Sequence, residues 1–204
     1  MPVKNRVAEM QPEIAAWRRT LHENPEILYE VHKTAAFVAE KLREFGCDEV
    51  VEGVGRTGVV GVIRGKTDTA GRVVGLRADM DALPIHEETN LPYASKTPGK
   101  MHACGHDLHT AGLYGALAWL VRRRGELTAD VVAMFQPGEE TGGGALHMIQ
   151  EGLLEAAGRP VDAAYAIHVS SGTYPRGVLL SRPGAIQAGC DDLVVTVHGR
   201  GGHG

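Results

Sequence analysis

Met101-His-Ala-Cys-Gly-His-Asp-Leu-His109 crowds His102, Cys104, His106, Asp107 and His109 into nine positions. Thiol, imidazole and carboxylate side chains bind transition metals or move protons, and a packed core has no use for so many of them together. Any one of these histidines, taken alone, reads as a solvated loop residue; the cluster does not. Cys104 and His106 are two apart, so in an extended or turn segment both can converge on one ion, and thiolate and imidazole are ligands that zinc-like metals favour. The segment Asp107 to Arg124 reads as a helix, with Leu113, Leu117 and Leu120 in an apolar stripe and Arg122, Arg123 and Arg124 at its negative end. Cys104 thus lies at the positive end, where a thiol pKa is expected to fall.

Three further groups follow directly on strand-like runs. Asp79 and Asp81 come after Arg72 to Arg77, Glu139 and Glu140 after Asp130 to Gln136, and His168 after Val161 to Ile167. Adjacent residues of an extended segment point to opposite sides, so Glu139 and Glu140 have different roles: one reaches a metal, the other serves as a base toward a metal-activated water. The bland alternative is a solvated acidic pair near a helix start. Similarly, one of Asp79 and Asp81 is either a turn residue or an acceptor that fixes a ligand histidine. His168 alone would read as a hydrogen-bonded core histidine. The Gly142-Gly-Gly144 run lacks the Lys-Ser/Thr of a phosphate loop and the dinucleotide spacing, so nucleotide binding is rejected.

The elements that must position these groups follow from patterning. Pro12 to Leu21 and Lys33 to Phe45 read as amphipathic helices, the second stopped by Gly46. Gly58 to Arg64 and Arg72 to Arg77 read as strands joined by the turn Lys66 to Gly71, which suggests an antiparallel pair. A short helix, Ala145 to Glu151, precedes the run Val161 to Ile167, and Arg176 to Ser181 and Leu193 to His198 read as further strands. The order implies an α/β fold, a mixed and largely parallel sheet flanked by helices, with the cleft beyond the carboxyl ends of its strands.

Composition narrows the class. The 204 residues carry a formal charge of −4 and a pI near 6.2, with no basic run interleaved with aromatics, which argues against a nucleic-acid partner. The amino-terminal residues lack an apolar signal core, and the longest apolar run, Ala111 to Val121, is too short for a membrane span. Three scattered cysteines, Cys47, Cys104 and Cys190, do not form a disulfide framework, and a cytoplasmic location is expected.

Several motifs, in order, carry a resemblance. They are Leu21-His-Glu-Asn-Pro-Glu26, Arg56-Thr-Gly-Val-Val60, Arg77-Ala-Asp-Met-Asp-Ala-Leu-Pro84, Met101-His-Ala-Cys-Gly-His-Asp107, Gln136-Pro-Gly-Glu-Glu140, Ile167-His-Val169, Ser181-Arg-Pro-Gly184 and Gly199-Arg-Gly-Gly-His203. Together they resemble the M20 metallopeptidases, in the amidohydrolase branch that includes hippurate hydrolases, N-acyl-amino-acid amidohydrolases and auxin-conjugate hydrolases. The resemblance implies that Cys104, His106, Glu140 and His168 are ligands of two divalent metal ions (Zn, Mn, Ni or Co), with Glu139 as general base and Asp79 as the ligand-orienting aspartate. It implies that His203 belongs to a lid (dimerisation) domain that offers it to the substrate.

The same resemblance implies that residues 1–183 are the amino-terminal part of a catalytic domain and that 184–204 begin an α+β lid with its first strand. It further implies a homodimer, hydrolysis of small N-acyl amino acids, and a fifth ligand beyond residue 204. Leu108 stands where the family usually has a small residue, and Val169-Ser-Ser-Gly where it usually has a proline. A chain of this extent is expected to show an exposed sheet edge and an incomplete metal site. The competing function is a metal-binding or partner-binding module without turnover.

Overall fold

The computed structural model describes residues 5–67, 70–140, 143–189 and 193–203. The chain divides into two compact units, Met1–Val169 and Ser170–Gly204. In the first, helices α1 (Asn5–Glu9), α2 (Gln11–Glu23) and α3 (His32–Phe45) precede strands β1 (Glu49–Val54), β2 (Gly58–Ile63) and β3 (Val73–Asp79). Helix α4 (His106–Arg122), strand β4 (Asp130–Gln136), helix α5 (Gly144–Gln150) and strand β5 (Ala163–Ala166) follow, with 3-10 turns at Arg124–Glu126 and Leu153–Glu155.

The strands form one sheet in the order β1-β2-β4-β3-β5. β2 pairs antiparallel with both β1 and β4, whereas β3 pairs parallel with β4 and with β5. Four strands therefore run in one direction and β2 in the other. The expected β2–β3 pair does not exist, because β4 is inserted between them. β2 and β4 are buried along their whole length, β2 apolar throughout and β4 apolar between Asp130 and Gln136, so each needs a ladder partner on both edges, and β4 supplies one to β2 and one to β3. The amphipathic pattern of β1 is weak, since most of its residues are exposed, and it was not expected from sequence.

Helices α2, α3 and α4 cover one face of the sheet. Their core includes Trp17, Leu21, Val38, Leu42, Leu113, Tyr114 and Leu117, packed on Val59, Ile63, Val131, Ala133 and Phe135. Leu42 lies so close to the sheet that a Cβ on Gly61 would meet its Cδ1 at 3.0 Å. A smaller core on the other face joins Val60, Val62, Val132 and Met134 to Met148 and Leu153. Helix α4 starts and stops within two residues of the expected bounds, and the 3-10 turn Arg124–Glu126 takes up its last residues.

Of the expected strand Val161 to Ile167, only Ala163–Ala166 joins the sheet. It forms an outer edge with Tyr165 62% exposed. In the second unit the described residues form no strand: 176–181 and 193–198 pair with nothing, although Leu193, Val194, Val195 and Val197 are strongly apolar. A strand exists only within a ladder, and no described residue offers one to these segments. Among the described residues no helix is long and apolar enough to cross a membrane.

Candidate metal centre

The parallel register brings the chemistry to one rim. Asp79 pairs with Gln136 and Arg77 with Ala166, so β3, β4 and β5 end side by side and release Asp79 to Asp81, Glu139 to Glu140 and His168 at the same edge. A bridge between Leu83 and Met101 closes the base of the intervening loop. It returns the chain to this edge just before α4 begins. Gly105 makes that entry at φ 103°, a conformation that disfavours any residue with a side chain.

Asp81 is fully buried and organises the floor. Its carboxylate accepts the backbone N–H groups of Glu139 at 3.0 Å and Glu140 at 3.2 Å, while its carbonyl accepts Nδ1–H of His106 at 2.7 Å. In the neutral ring that donation leaves Nε2 of His106 as the free, inward-facing nitrogen, although, against burial, Asp81, Asp79 and Glu140 raise the ring above 6.5. Nε2 lies 3.7 Å from Glu139 Oε2, 3.7 Å from Glu140 Oε1 and 3.5 Å from Asp79 Oδ2, and it hydrogen-bonds none of them. Glu140 Oε1 is likewise buried without a hydrogen-bond partner. Cys104 Sγ is 3.4 Å from His168 Nε2, whose ring donates Nδ1–H to the Val169 carbonyl at 2.6 Å. Cys104, His106 and His168 offer ligand atoms within 4.8 Å of one another, as do His106, Glu139 and Glu140.

The electrostatics favour a cation. Burial, then the charges of Glu140, Glu139 and Asp79, push the Cys104 thiol up to about 12. The thiol was expected to be acidified by the helix end; burial and these three carboxylates outweigh that partial charge, and a cation among them would favour the thiolate. Burial, with Glu139 and Asp81 nearby, likewise raises the Glu140 carboxyl despite His106. For Asp79, burial acts upward, but the His109 hydrogen bond and Arg77 together hold it below the usual carboxylate range. Ligand atoms each about 2.0–2.3 Å from one ion lie about 3–4 Å apart, which is the spacing of these unpaired atoms. The residues present therefore fit a divalent metal.

The dense motif splits in three. Cys104 and His106 face the rim. His109 turns to Asp79, donating Nδ1–H to its carboxylate at 2.6 Å. Asp107 faces away, held by Arg18 at 2.7 Å and His22 at 2.7 Å, with Glu87 on the other nitrogen of His22. His102 packs near His22, buried, and burial drives it down to about 4, so it is neutral at ordinary pH. Sequence reasoning did not anticipate the clamp formed by Asp81 or the His22–Asp107 pair; the helical spacing of His106 and Asp107, about 100° apart, was the available signal. His203 lies in the second unit and is exposed.

A family model described as Peptidase family M20/M25/M40 matches residues 75–201, more than half of the chain. The chain belongs to this family. It is 46% identical over 205 residues to thermostable carboxypeptidase 2 of Saccharolobus solfataricus, covering 99% of this chain and 50% of that protein. It is 40% identical to the N-acyl-L-amino acid amidohydrolase of Geobacillus stearothermophilus, covering 99% of this chain and 53% of that one. Among solved structures, the YXEP protein of Bacillus subtilis, a dinuclear metal-binding M20 peptidase, superposes with a TM-score of 0.73 at 40% identity, over 80% of this chain and 44% of its own. The M20 chain thus spans about half the length of the curated relatives it matches.

Proposed function

We propose that this chain carries the principal metal-binding half of an amidohydrolase that cleaves the amide bond of N-acyl amino acids or related small conjugates. The observation that carries the reading is the pair of buried, unpaired atoms, His106 Nε2 and Glu140 Oε1, facing each other beside Cys104 and His168. Relatives named for carboxypeptidase and N-acyl-amino-acid hydrolysis, and the dinuclear neighbour, support it.

Cys104, His106, Glu140 and His168 would hold two divalent ions. Such ions polarise a carbonyl and acidify water. Glu139 has the position of a general base: its side chain is 38% exposed, against 18% for Glu140, so it faces the open side of the cluster. There it takes a proton from the attacking water and delivers it to the departing amine. Asp81 fixes the backbone of both glutamates, and Asp79 acts on the site through His109 and His106. The reading extends to residues 1–183 as part of the catalytic domain, to 184–204 as the start of a lid carrying His203 toward substrate, and to a cytoplasmic homodimer in the whole protein.

Glu139→Gln is expected to lower hydrolysis of an N-acyl amino acid about 10²–10⁴-fold while metal content stays unchanged. The assay belongs on this chain and on a version extended at its carboxyl end. Near-normal turnover in the variant would remove Glu139 from the mechanism. The second reading, metal binding without turnover, is favoured for the 204-residue chain by its coverage of only half its relatives; stoichiometric metal with no hydrolysis in the short form alone would support it.

A further inference from the structure

His168 stands beyond the support of its own strand. The last ladder residue of β5 is Ala166, paired with Arg77, and β5 is a four-residue outer strand with mostly exposed side chains. Ile167 is exposed as well. Yet the His168 ring is placed 3.4 Å from Cys104, which requires the strand end to be held in position.

Contacts from the start of α4 hold it, among them the His109 ring set edge-on to the His168 ring at 4.8 Å. The Val169 N–H donates to Nε2 of His109 at 2.9 Å. The Val169 side chain also fills the space over Gly105, where an added Cβ would lie 2.4 Å from its Cγ2. Accepting at Nε2 requires that the proton of His109 sit on Nδ1, where Asp79 takes it at 2.6 Å. Asp79 is in turn paired with Arg77 at 2.7 Å and receives the Thr110 hydroxyl on its carbonyl at 2.9 Å. A connected chain therefore runs from β3 through His109 to the backbone amide next to His168.

We propose that His109 is a positioning residue of the metal centre, which fixes the strand end bearing His168 by accepting the Val169 amide while Asp79 sets its tautomer. It is not itself a ligand, although it lies within ligand distance of Asp79 and His106, because both ring nitrogens are committed. The proposal rests on the metal-centre reading above.

Cobalt(II) titration of the whole 204-residue chain, followed by thiolate-to-cobalt absorption and by calorimetry, tests it. His109→Asn keeps a donor for Asp79 but is too short to accept from Val169; His109→Gln extends an amide oxygen to about the place of Nε2. His109→Asn is expected to weaken cobalt binding about ten-fold or more, and His109→Gln to stay within about three-fold of the unsubstituted chain. Circular dichroism of the metal-free variants verifies that both retain the fold; a merely structural role would weaken both equally. Equal binding by the two variants, whether weakened or not, overturns the proposal. Cys104→Ala separates the two levels: if it too binds as the unsubstituted chain does, the metal-centre reading fails and this proposal with it. If Cys104→Ala loses cobalt while His109→Asn does not, only the positioning role fails.

Discussion

Two clusters of charged groups flank the first turn of α4, and consecutive residues, His106 and Asp107, belong to different ones. The Asp107 cluster is closed. One of its carboxylate oxygens is shared by Arg18 and His22, the other accepts the N–H of Leu108, and His22 uses its second nitrogen on Glu87. The His106 cluster is open: it collects Asp79, Glu139, Glu140 and a thiol around one imidazole nitrogen, and leaves that nitrogen and Glu140 Oε1 unpaired. Burying unpaired polar atoms costs stability, and here two of them face one another among further ligand-type groups. The closed cluster ties α2, α4 and the loop after β3 together; the open one is the proposed metal site.

The largest effect should come from opening the closed cluster. Asp107→Ala strands His22 and Arg18 beside one another and is expected to destabilise the metal-free chain by about 3 kcal/mol, the low end for a broken buried pair because Arg18 is partly exposed. Denaturant unfolding measures this. Cobalt binding by the folded fraction should change little, and a loss of binding without a loss of stability would contradict the division between the clusters.

Glu140→Gln should behave in the opposite way. It removes a proposed ligand, so metal affinity is expected to fall beyond the ~10–100-fold cost of losing a supporting residue. It also relieves repulsion among carboxylates in the metal-free chain. Because the Glu140 carboxyl is raised in the fold, its ionisation lowers stability as pH rises from its unfolded value of 4.5 through the folded one. At neutral pH in chelator, Glu140→Gln should therefore melt at or above the temperature of the unsubstituted chain. A clear drop would mean that Glu140 is structural.

Much of this arrangement was readable in advance, and the unreadable part has physical causes. Asp130–Gln136 was recoverable because a fully buried strand is a continuous apolar run with clear ends. Cys104 stood out in a dense motif just before a helix, and Glu140 and His168 because each follows a strand that ends at the rim. Pairing was not readable: nothing local in Lys66 to Gly71 reveals that β4 enters between the strands it joins, because that contact forms across the chain. The role of Asp81 was hidden for a similar reason, since it acts on backbone amides that any residue would carry. His109, three residues after His106, shares the spacing of a ligand, and only the fold reveals that its nitrogens are spent on Asp79 and Val169.

A smaller effect distinguishes the clusters by pH. Hydrogen bonding to Asp107 raises His22 above 6.5 despite burial, with Glu87 adding to it. Asp107 is held below 3.8, where His22, His102 and Arg18 overcome its burial. The His22 contribution is complete below 6.5 and is lost as pH rises through its raised value; that of Asp107 is complete above 3.8 and is lost as pH falls through its lowered value. The closed cluster thus stabilises most between these limits. The penalty of Asp107→Asn, measured in chelator, should be larger at pH 6 than at pH 9, and a penalty that grew toward pH 9 would exclude a charged His22.

The smallest effect asks whether an unpaired atom alone marks a site. The Tyr114 hydroxyl is also buried without a hydrogen-bond partner, and burial raises its pKa well above the ordinary value. Unlike Glu140 Oε1, it belongs to no converging group of ligand-type atoms among the described residues: the rings of Trp17, Phe37, Phe45 and Phe135 lie at 5.6–6.1 Å, with Glu40 as the neighbouring charge. Tyr114→Phe keeps those rings in contact and removes the unsatisfied group. It is expected to leave stability unchanged or raise it by up to about 1 kcal/mol, with cobalt affinity unaltered. A loss of more than that on thermal unfolding would mean that the hydroxyl is satisfied after all, and that a lone polar atom and a converging set of donors cannot be told apart by burial.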